Sequence, residues 1–409
     1  MTTPTAFDPA VMETQEFHCE PWEVYRFLRD EHPVYLNPLN GAWMVTRYED
    51  VVAGFKDHDR LSSTIMEQSH NVVFGPSLTA MDGEGHTQKR NIVAPEFVGR
   101  HLDLFIPIIE QNAKALIDRF RKDGQVDLVD QFTTRLPVNV ILDALGLPKA
   151  DHDFFHGCYT AFMAGLGPDP VRRAHAVEMN RRFHEYIDPF VKERTAHPGE
   201  DLISKLCAAE VDGRRLDEHH VKAFVSLLLT AGGETTDKAM ANLWWLLLNH
   251  PEQWEAVRRD PDLFETAFTE MMRHSGPIAA EPRIALVDVE IRGQVIPAGS
   301  PVILSIHSAN RDERVFADPD AFNIFREDLY QGKELRTGYW EGGKASHVGF
   351  GLGKHFCVGY QLARYEAVIG SKLLLEAMKD PRIKPGQNPR IGEGMAMRAV
   401  KRLPIEFPV

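Results

Sequence analysis

The feature that most constrains the fold is a long apolar run near the middle of the chain, residues 216–251, LDEHHVKAFVSLLLTAGGETTDKAMANLWWLLLNHP. The pattern predicts one helix, entered after Asp212 and Gly213 and stopped by Pro251. Thirty-odd residues at about 1.5 Å each span roughly 50 Å, the width of a whole protein of this size. We therefore expect this helix to cross the core.

The rest of the chain is mainly helical, with β-type runs near the two ends. Residues 33–45, PVYLNPLNGAWMV, hold two short β runs around Asn40-Gly41, a favoured hairpin turn. Helical periodicity dominates from about residue 85 to 275, by its spacing of apolar residues. Residues 287–312 add two β-rich runs, and helix returns only after Cys357. The fold class predicted is mainly α (α+β), a helical array with small β-sheets.

Length alone favours two domains or one large domain with sub-lobes. The order of the predicted elements favours a single domain over residues 1–409, with a small N-terminal β-rich lobe and a large helical lobe. The formal net charge of −13 disfavours nucleic acid or an anionic membrane as the main partner. The four cysteines lack paired spacing, which suggests reduced thiols and a cytoplasmic setting. The first residues show no signal peptide or membrane anchor.

The long helix carries an unusual segment at its centre, AGGETT, residues 231–236. Two adjacent glycines and two threonines lower helix propensity, so propensity alone does not explain them. Gly232 and Gly233 could allow close packing against another helix, or could let a flat ligand or dioxygen lie against this one. Thr235 could bend the backbone by bonding a carbonyl one turn back, and Glu234 beside it supplies an acid.

Several charged residues share helix faces. Glu270 and Arg273 are spaced i, i+3, and His86 and Arg90 are spaced i, i+4. Arg283 directly precedes a predicted strand. Each is more often structural than ligand-binding, but the cations together with His355 would suit the acidic groups of a cofactor.

Cys357 follows a glycine-rich loop, FGLGKHFCVG, residues 350–359. A nucleophilic cysteine with His355 or His347 as its base is not excluded by the sequence. A structural thiol would leave the glycines at 349, 351, 353 and 359 unexplained. A thiolate metal ligand needs nearby donors, and backbone N–H groups of glycine turns supply them.

These residues carry a resemblance to a known family. FGLGKHFCVG is similar to the haem-binding signature of the cytochrome P-450 family, Phe-Gly-x-Gly-x-His-x-Cys-x-Gly, at every fixed position. AGGETT resembles the family's oxygen-activation motif, Glu270-x-x-Arg273 its structural ion pair, and HTQKR its His-x-x-x-Arg. The chain resembles the soluble bacterial members, whose fold encloses haem b beside the long central helix.

The resemblance implies a role for each matched residue. Cys357 would be the metal ligand, the proximal thiolate on haem iron, with Phe350 packed beside it and Gly351, Gly353 and Gly359 shaping its loop. Glu270 and Arg273 would tie their helix to the loop before the haem signature. The residues expected at the haem propionates are His86, Arg90, Arg283 and His355.

The resemblance also implies the reaction, hydroxylation of a C–H bond with dioxygen. Thr235 would hydrogen-bond the oxygen or its water, and Glu234 would relay protons from solvent. We expect an apolar or weakly polar substrate of small to medium size. The residues expected to line its pocket are Leu227, Ala231, Ile278, Ala279 and Met395.

Electrons would come from separate proteins, because no flavin or ferredoxin domain follows the final RLPIEF segment. We expect a ferredoxin and its reductase, driven ultimately by NAD(P)H, to serve a monomeric enzyme. A basic patch with some of Lys89, Lys354 and Arg364 would receive the ferredoxin. Residues 330–346 form a longer segment than the soluble bacterial members show here, most simply a surface insertion.

Two other functions remain open. A peroxide-driven or nitric-oxide-reducing enzyme would share Cys357, but those branches depart from the acid-alcohol pair that Glu234 and Thr235 retain. A non-catalytic haem sensor or carrier would share the haem loop and need no proton relay.

Overall fold

The computed structural model describes residues 7–211, 213–387, 389–392 and 397–409, and helices dominate this part of the chain. The α-helices are α1 (Gln15–Cys19), α2 (Trp22–Glu31), α3 (Tyr48–Lys56), α4 (His70–Phe74), α5 (Gly83–Val93), α6 (Gly99–Asp103), α7 (Phe105–Ile117), α8 (Arg135–Leu145), α9 (His152–Gly165), α10 (Pro170–Ala196), α11 (Leu202–Ala208), α12 (Glu218–Asn249), α13 (Pro251–Arg259), α14 (Phe264–Ser275), α15 (Ile306–Ala309) and α16 (Tyr360–Ala377). Shorter 3₁₀ segments and one π-helical turn are Pro9–Glu13, Ser63–Gln68, Leu78–Ala80, Ala94–Phe97, Val129–Thr133, Lys149–Asp151, Pro261–Leu263, Lys333–Thr337 and Gly353–His355.

The strands are short and form several small sheets. They are β1 (Val34–Leu36), β2 (Trp43–Val45), β3 (Leu61–Ser62), β4 (Gln125–Asp127), β5 (Glu210–Val211), β6 (Arg214–Arg215), β7 (Glu281–Ala285), β8 (Val289–Ile291), β9 (Gln294–Ile296), β10 (Pro301–Leu304), β11 (Trp340–Glu341), β12 (Lys344–Ala345), β13 (Arg382–Ile383), β14 (Ile391–Gly392), β15 (Ala399–Val400) and β16 (Pro404–Glu406). The largest sheet has the order β1-β2-β10-β7-β3, and a second has the order β13-β16-β4. The remaining pairs are β5-β6, β8-β9, β11-β12 and β14-β15.

Chain contacts divide the protein into two compact units, each assembled from three stretches of sequence. The sheet unit comprises Met1–Ser62, Thr269–Phe356 and Arg390–Val400. The helix unit comprises Ser63–Phe268, Cys357–Pro389 and Lys401–Val409. Neither unit is a continuous segment, so the chain passes repeatedly from one to the other.

The central helix of the helix unit is α12, which confirms the single long helix predicted from residues 216–251. Its first turn is capped by Asp217, whose side chain accepts a hydrogen bond from the backbone N–H of His220 at 2.8 Å. Most of its residues are buried, because α8, α9, α10 and α16 surround it. A helix that is apolar on nearly all sides belongs in a core.

The sheet unit is built on the predicted hairpin. β1 and β2 pair antiparallel around Gly41, whose φ of 71° lies in the left-handed region that favours glycine. β2 then pairs in parallel with β10, and β10 pairs antiparallel with β7. The inner faces of these strands and of α3 form an apolar core that includes Val45, Phe55 and Leu304.

The sequence prediction of the strands was incomplete, and β5 and β6 are among the strands it missed, because they form a hairpin inside the region predicted as helical. The region predicted as helical contains β4, which pairs antiparallel with β16 near the C-terminus. Three residues are too few to show a periodicity, so only the distant partner makes β4 a strand. In residues 287–312 there are three strands, since β8 and β9 form their own hairpin and β10 joins the large sheet. The short helix α15 follows them, so the prediction that helix returns only after Cys357 was wrong.

Among the residues that the structure describes, no helix combines the length and the hydropathy that a membrane crossing requires.

Candidate functional site

The loop before α16 presents Cys357. Gly351 and Gly353 have φ values of 65° and 67°, which only glycine adopts without strain. The carbonyl of Val348 accepts a hydrogen bond from the Gly351 N–H at 3.0 Å, and that of Gly353 accepts one from the Phe356 N–H at 3.3 Å. A Cβ on Gly353 would lie 2.7 Å from the His58 ring, so this turn also needs glycine for space.

Cys357 lies close to a helix N-terminus and to an arginine. It lies just before Gly359, the N-cap residue of α16, where unpaired backbone N–H groups give the helix a partial positive charge. Arg90 on α5 lies close enough that Cys357 raises the pKa of its guanidinium, against a larger lowering by burial. His86, one turn earlier on α5, is buried. The helix unit thus brings Cys357 and Arg90 together.

A second group of cations lies in the sheet unit, on β7 and in the Cys357 loop. The Arg283 guanidinium lies 3.8 Å from the Glu281 carboxylate and 5.5 Å from the centre of the Phe55 ring. Burial raises the pKa of Glu281, and the nearby Arg283 and His355 offset part of that rise. Arg283 and His355 therefore lie near one half-buried carboxyl. The sequence analysis missed Glu281, although its i, i+2 spacing from Arg283 on a strand places both on one face.

Phe350 is half-buried within the same unit. Its ring lies 5.7 Å from the His347 ring and 6.3 Å from the Phe356 ring, measured between centroids. His347 is deeply buried, and burial lowers its pKa to about 3, so it is neutral. This aromatic group stiffens the loop that carries Gly351.

The central part of α12 has one open face. Leu227, Ala231 and Thr235 are spaced i, i+4 and i+8, so they lie on the same side of the helix. Leu227 is buried, but Ala231 is exposed and Thr235 is half-buried, although the helix around them is core. The Thr235 hydroxyl donates a hydrogen bond to the Ala231 carbonyl at 3.0 Å, one turn back. The open face thus carries a hydroxyl and small side chains.

The two glycines of AGGETT do not lie on the open face. A Cβ on Gly232 would lie 3.3 Å from Ile141, and one on Gly233 would lie 3.4 Å from Val138, both on α8. Of the two readings that the sequence left open, close helix packing is therefore the one the structure shows.

Glu234 is the titratable group of α12 next to this face. Burial raises its pKa from 4.5 to about 7, while Lys238 lowers it and Asp237 raises it further. Among the described residues, the buried Oε2 atom of Glu234 has no hydrogen-bond partner. An acid with a pKa near neutrality and a free acceptor atom is suited to gaining and losing a proton.

Glu270 and Arg273 form a buried pair at the end of α14. The guanidinium makes two hydrogen bonds of 2.7 Å to the Glu270 carboxylate. It also donates to backbone carbonyls of the loop before the haem signature, those of Asn310, Pro319 and Ala321. The backbone N–H of Asn323 donates to Glu270 at 2.9 Å. The pair therefore fastens this loop to α14.

The remaining predicted pocket residues that the structure describes are less exposed than Ala231. Ile278 is half-buried and forms a β-bridge with Met397, and Ala279 is buried with its carbonyl bonded to the His307 N–H. Met395 lies outside the described residues.

The three cations expected at a partner surface differ in their exposure and in their side-chain contacts. Lys354 is exposed, whereas Lys89 is half-buried and its ammonium lies 3.6 Å from the Met81 sulfur. Arg364 pairs with Glu265. Residues 330–346 contain the hairpin β11-β12, and the rings of Tyr330 and Tyr339 stack at 4.0 Å.

The residues present fit a haem with an axial thiolate. The helix unit supplies Cys357 at a helix N-terminus, the cation Arg90 beside it, and an exposed patch on an otherwise buried helix. The buried Oε2 atom of Glu234, which lacks a partner among the described residues, fits a position that faces bound water or ligand. The sheet unit supplies the Arg283 guanidinium and the His355 ring, whose N–H groups suit propionates.

Comparisons with known proteins agree with this chemistry. The family model described as Cytochrome P450 matches residues 154–379. Pulcherriminic acid synthase of Bacillus subtilis (strain 168) is 34% identical over 375 residues, covering 91% of each protein. The structure of the cytochrome P450 PksS of the Bacillus subtilis 168 bacillaene polyketide synthase shares 30% identity, with a TM-score of 0.85 and coverage of 98% of this chain and 100% of that one.

A further similar structure is P450BioI, in complex with an acyl carrier protein ligated to hexadec-9Z-enoic acid. It shares 28% identity at a TM-score of 0.85 and covers 96% of this chain and 99% of that one. The chain therefore belongs to the cytochrome P450 family, as its motifs predicted, and is a cytochrome P450 monooxygenase.

Proposed function

We propose that the protein hydroxylates a C–H bond of a small apolar or weakly polar organic molecule, using dioxygen and electrons from a separate carrier. The observation that carries the proposal is the Glu234–Thr235 pair on α12. It places an acid whose pKa is raised to about 7 beside a hydroxyl on the helix's open face. A protein that only binds haem has no need of this pair.

Cys357 would hold a haem b through its thiolate sulfur. By the family resemblance, the residues that would bind its propionates are His86, Arg90, Arg283 and His355. When bound, a haem with an axial thiolate supplies O–O bond cleavage and transfer of one oxygen atom to the substrate. The N-terminus of α16 would temper the charge on the sulfur.

Thr235 would position a water molecule on the open face of α12. Its hydroxyl proton is committed to the Ala231 carbonyl, so its oxygen is available to accept a hydrogen bond. Glu234 would hold a proton at neutral pH and release it toward that position. These two residues would therefore control when protons reach the reacting oxygen.

The substrate would meet Leu227, Ala231, Ile278 and Ala279, which are all apolar. Small side chains at 231 and 279 would leave room for a ligand, and no charged side chain belongs to this set. The similar structure of P450BioI, whose complex holds a carrier-bound hexadec-9Z-enoic acid, supports a mainly apolar substrate. A ferredoxin and its reductase would deliver the electrons, received in part at Lys354.

The decisive experiment compares two sources of oxidising equivalents. A compound library is first screened for substrates by the haem spin-state shift. Turnover is then measured with NAD(P)H, ferredoxin, reductase and dioxygen, and separately with hydrogen peroxide alone. Hydroxylated product with the reductant and dioxygen supports the proposal. Product with peroxide only would identify a peroxygenase, and binding with neither product would identify a haem sensor.

Ligation by Cys357 is tested independently of turnover. The ferrous carbon monoxide complex should show the strongly red-shifted Soret band of a thiolate ligand, and Cys357→Ala should abolish it. Cys207→Ala is the matched control, because Cys207 is also in the helix unit but is buried on α11. A wild-type spectrum from Cys357→Ala would show that Cys357 is not the iron ligand.

A further inference from the structure

A row of ring side chains on α9 has no role in the function proposed above. His152, His156 and Tyr159 are spaced i, i+4 and i+7 and so share one face of α9. The rings of His152 and His156 are 6.2 Å apart and nearly parallel, at 17°. The rings of His156 and Tyr159 are 5.1 Å apart and meet edge to face. We call these three residues the α9 ring row.

One end of the row meets α12 beside Glu234. A Cβ on Gly233, the residue before Glu234, would lie 3.5 Å from the Tyr159 ring. Burial raises the pKa of the Tyr159 hydroxyl, and the negative charges of Asp237 and Glu234 raise it further. Tyr159 therefore stays protonated and lies within electrostatic reach of both carboxylates.

The other end of the row reaches the protein surface. The His152 side chain keeps 12% of its surface exposed, and the neighbouring Asp153 is 95% exposed. The Arg135 guanidinium of α8 lies 3.9 Å from the Asp153 carboxylate. Solvent can therefore exchange protons at the start of α9.

Buried polar atoms without partners occur along this route. Among the described residues, His152 Nε2, Tyr159 Oη and Glu234 Oε2 are buried and make no hydrogen bond. Buried polar groups are nearly always paired, and ordered water is the usual partner where protein atoms do not serve. The three atoms thus mark positions for water from the surface to Glu234.

His156 lies in the middle of the row, near both positively and negatively charged side chains. Burial is the largest influence and lowers its pKa, so the ring is mostly neutral at pH 7 and can take up and release a proton. Asp237 is less suited than His156 to take up and release a proton, because its carboxylate accepts hydrogen bonds from the Thr133 hydroxyl at 2.7 Å and from the Lys238 ammonium at 2.9 Å. The charged or titratable groups facing His156 are His152, Asp153, Tyr159, Arg135, Asp237 and Lys238.

We propose that the α9 ring row is the proton entry route to Glu234, in which His156 exchanges protons with solvent and Tyr159 positions the water that passes them on. The step moves protons only: each leaves bulk water, resides on His156, and crosses water to the Glu234 carboxylate. The inference rests on the proposed monooxygenase function, which requires Glu234 to be protonated again in every turnover.

The alternative is that the row is only packing between α9 and α12. Two substitutions separate the explanations, since Tyr159→Phe keeps the ring and removes the hydroxyl, and His156→Phe keeps an aromatic ring that cannot carry a proton. Tyr186→Phe is the matched control. Tyr186 packs on α9 with its ring 5.3 Å from that of Phe155, but its hydroxyl donates to Asp151.

The experiment measures proton exchange at Glu234 directly in the resting holoenzyme. The carbonyl stretch of its protonated carboxyl is assigned by its loss in Glu234→Gln, and its shift after rapid mixing with D₂O is followed by infrared spectroscopy. We expect exchange to slow by about a hundredfold or more in Tyr159→Phe and His156→Phe, the lower end of the range for a positioned proton-transfer group. Tyr186→Phe should exchange at the wild-type rate.

Each variant is first checked for an unchanged ferrous carbon monoxide spectrum. Wild-type exchange in either row variant that passes this check overturns the proposal. If both variants have an altered spectrum, His156→Gln is measured in their place, because glutamine keeps a polar side chain but does not titrate. Wild-type exchange in His156→Gln likewise overturns the proposal. The measurement needs no turnover, so a protein that works only with peroxide would refute the proposed function without altering this result.

Discussion

At the scale of single residues, Thr235 is the side chain whose role is most sharply testable. Thr235→Ala should leave haem and substrate binding intact but divert reducing equivalents to peroxide, because the hydroxyl that orders water on the open face is lost. The measurement is product formed and peroxide released per NAD(P)H consumed.

Thr230→Ala is the control for this change. The Thr230 hydroxyl makes the same one-turn hydrogen bond, to the Ser226 carbonyl at 2.8 Å, but it is buried away from the open face. Loss of coupling in both variants, or in neither, would show that Thr235 has no special part in proton delivery.

Glu234 should leave a signature in the pH dependence of stability. Burial raises its pKa from 4.5 to about 7, so between these values the folded protein binds more protons than the unfolded chain. The free energy of unfolding should therefore fall as pH rises through this window, and the penalty persists above it. From the size of the shift and the partial burial, the loss is on the order of 1–3 kcal/mol.

Glu234→Gln removes this titration. Its denaturation midpoint should fall less than that of the wild type between about pH 5 and pH 8, so the two curves should diverge with the variant more stable at the higher pH. Parallel curves would show that the carboxyl does not titrate in this range.

At the scale of structural elements, the loop that precedes α16 depends on the conformation of Gly353. Gly353→Ala should lower the free energy of unfolding by about 1–2 kcal/mol from the left-handed backbone alone, and further through contact with the His58 ring. Thermal denaturation and haem content of the purified protein measure the effect.

Gly359→Ala provides the comparison within the same loop. Its φ is −89°, and no atom of the described residues lies within 4 Å of the position of the added Cβ. We expect near wild-type stability. Equal destabilisation by both substitutions would mean that backbone strain at Gly353 is not the cause.

Elements with strong local signals were predictable from the sequence, and those defined by distant partners were not. The helix α12 has an Asp cap, continuous apolar periodicity and a terminal proline, so its type and length followed from local rules. The strand β4 has no local signal and depends on β16. Likewise Cys357 and Glu234 could be predicted as site residues from the motifs that contain them. Glu281 gains meaning only from its nearness to Arg283 and His355.

The α9 ring row shows an intermediate case. Its spacing is visible in HDFFHGCY, residues 152–159, but Phe154 and Phe155 occupy the same stretch, and nothing in the sequence tells which face meets α12. The structure shows which face of α9 meets α12, because Tyr159 packs against α12 at Gly233. Residue spacing can therefore nominate such a row, while its target requires the structure.

At the scale of the whole molecule, the buried Arg273 is central to the sheet unit. Arg273→Lys should destabilise the protein by about 3–5 kcal/mol, because a single ammonium cannot meet the Glu270 carboxylate and three carbonyls, and a buried charge is left poorly paired. Equilibrium unfolding and haem retention are the measurements. An exposed arginine of the same unit, Arg26, serves as control, since Arg26→Lys removes only a surface pair with Asp320 and should change stability little.

The pairing of β2 with β10 has a consequence for the time course of folding in the cell. Trp43 lies opposite Val302 in the parallel pair. The hairpin of β1 and β2 must wait for about 260 more residues to be synthesised, on the order of 10–50 seconds at ribosomal speeds. During that interval one edge of β2 presents unpaired backbone groups to other nascent chains. Production of the protein should therefore respond to temperature and chaperone supply more strongly than its native stability suggests.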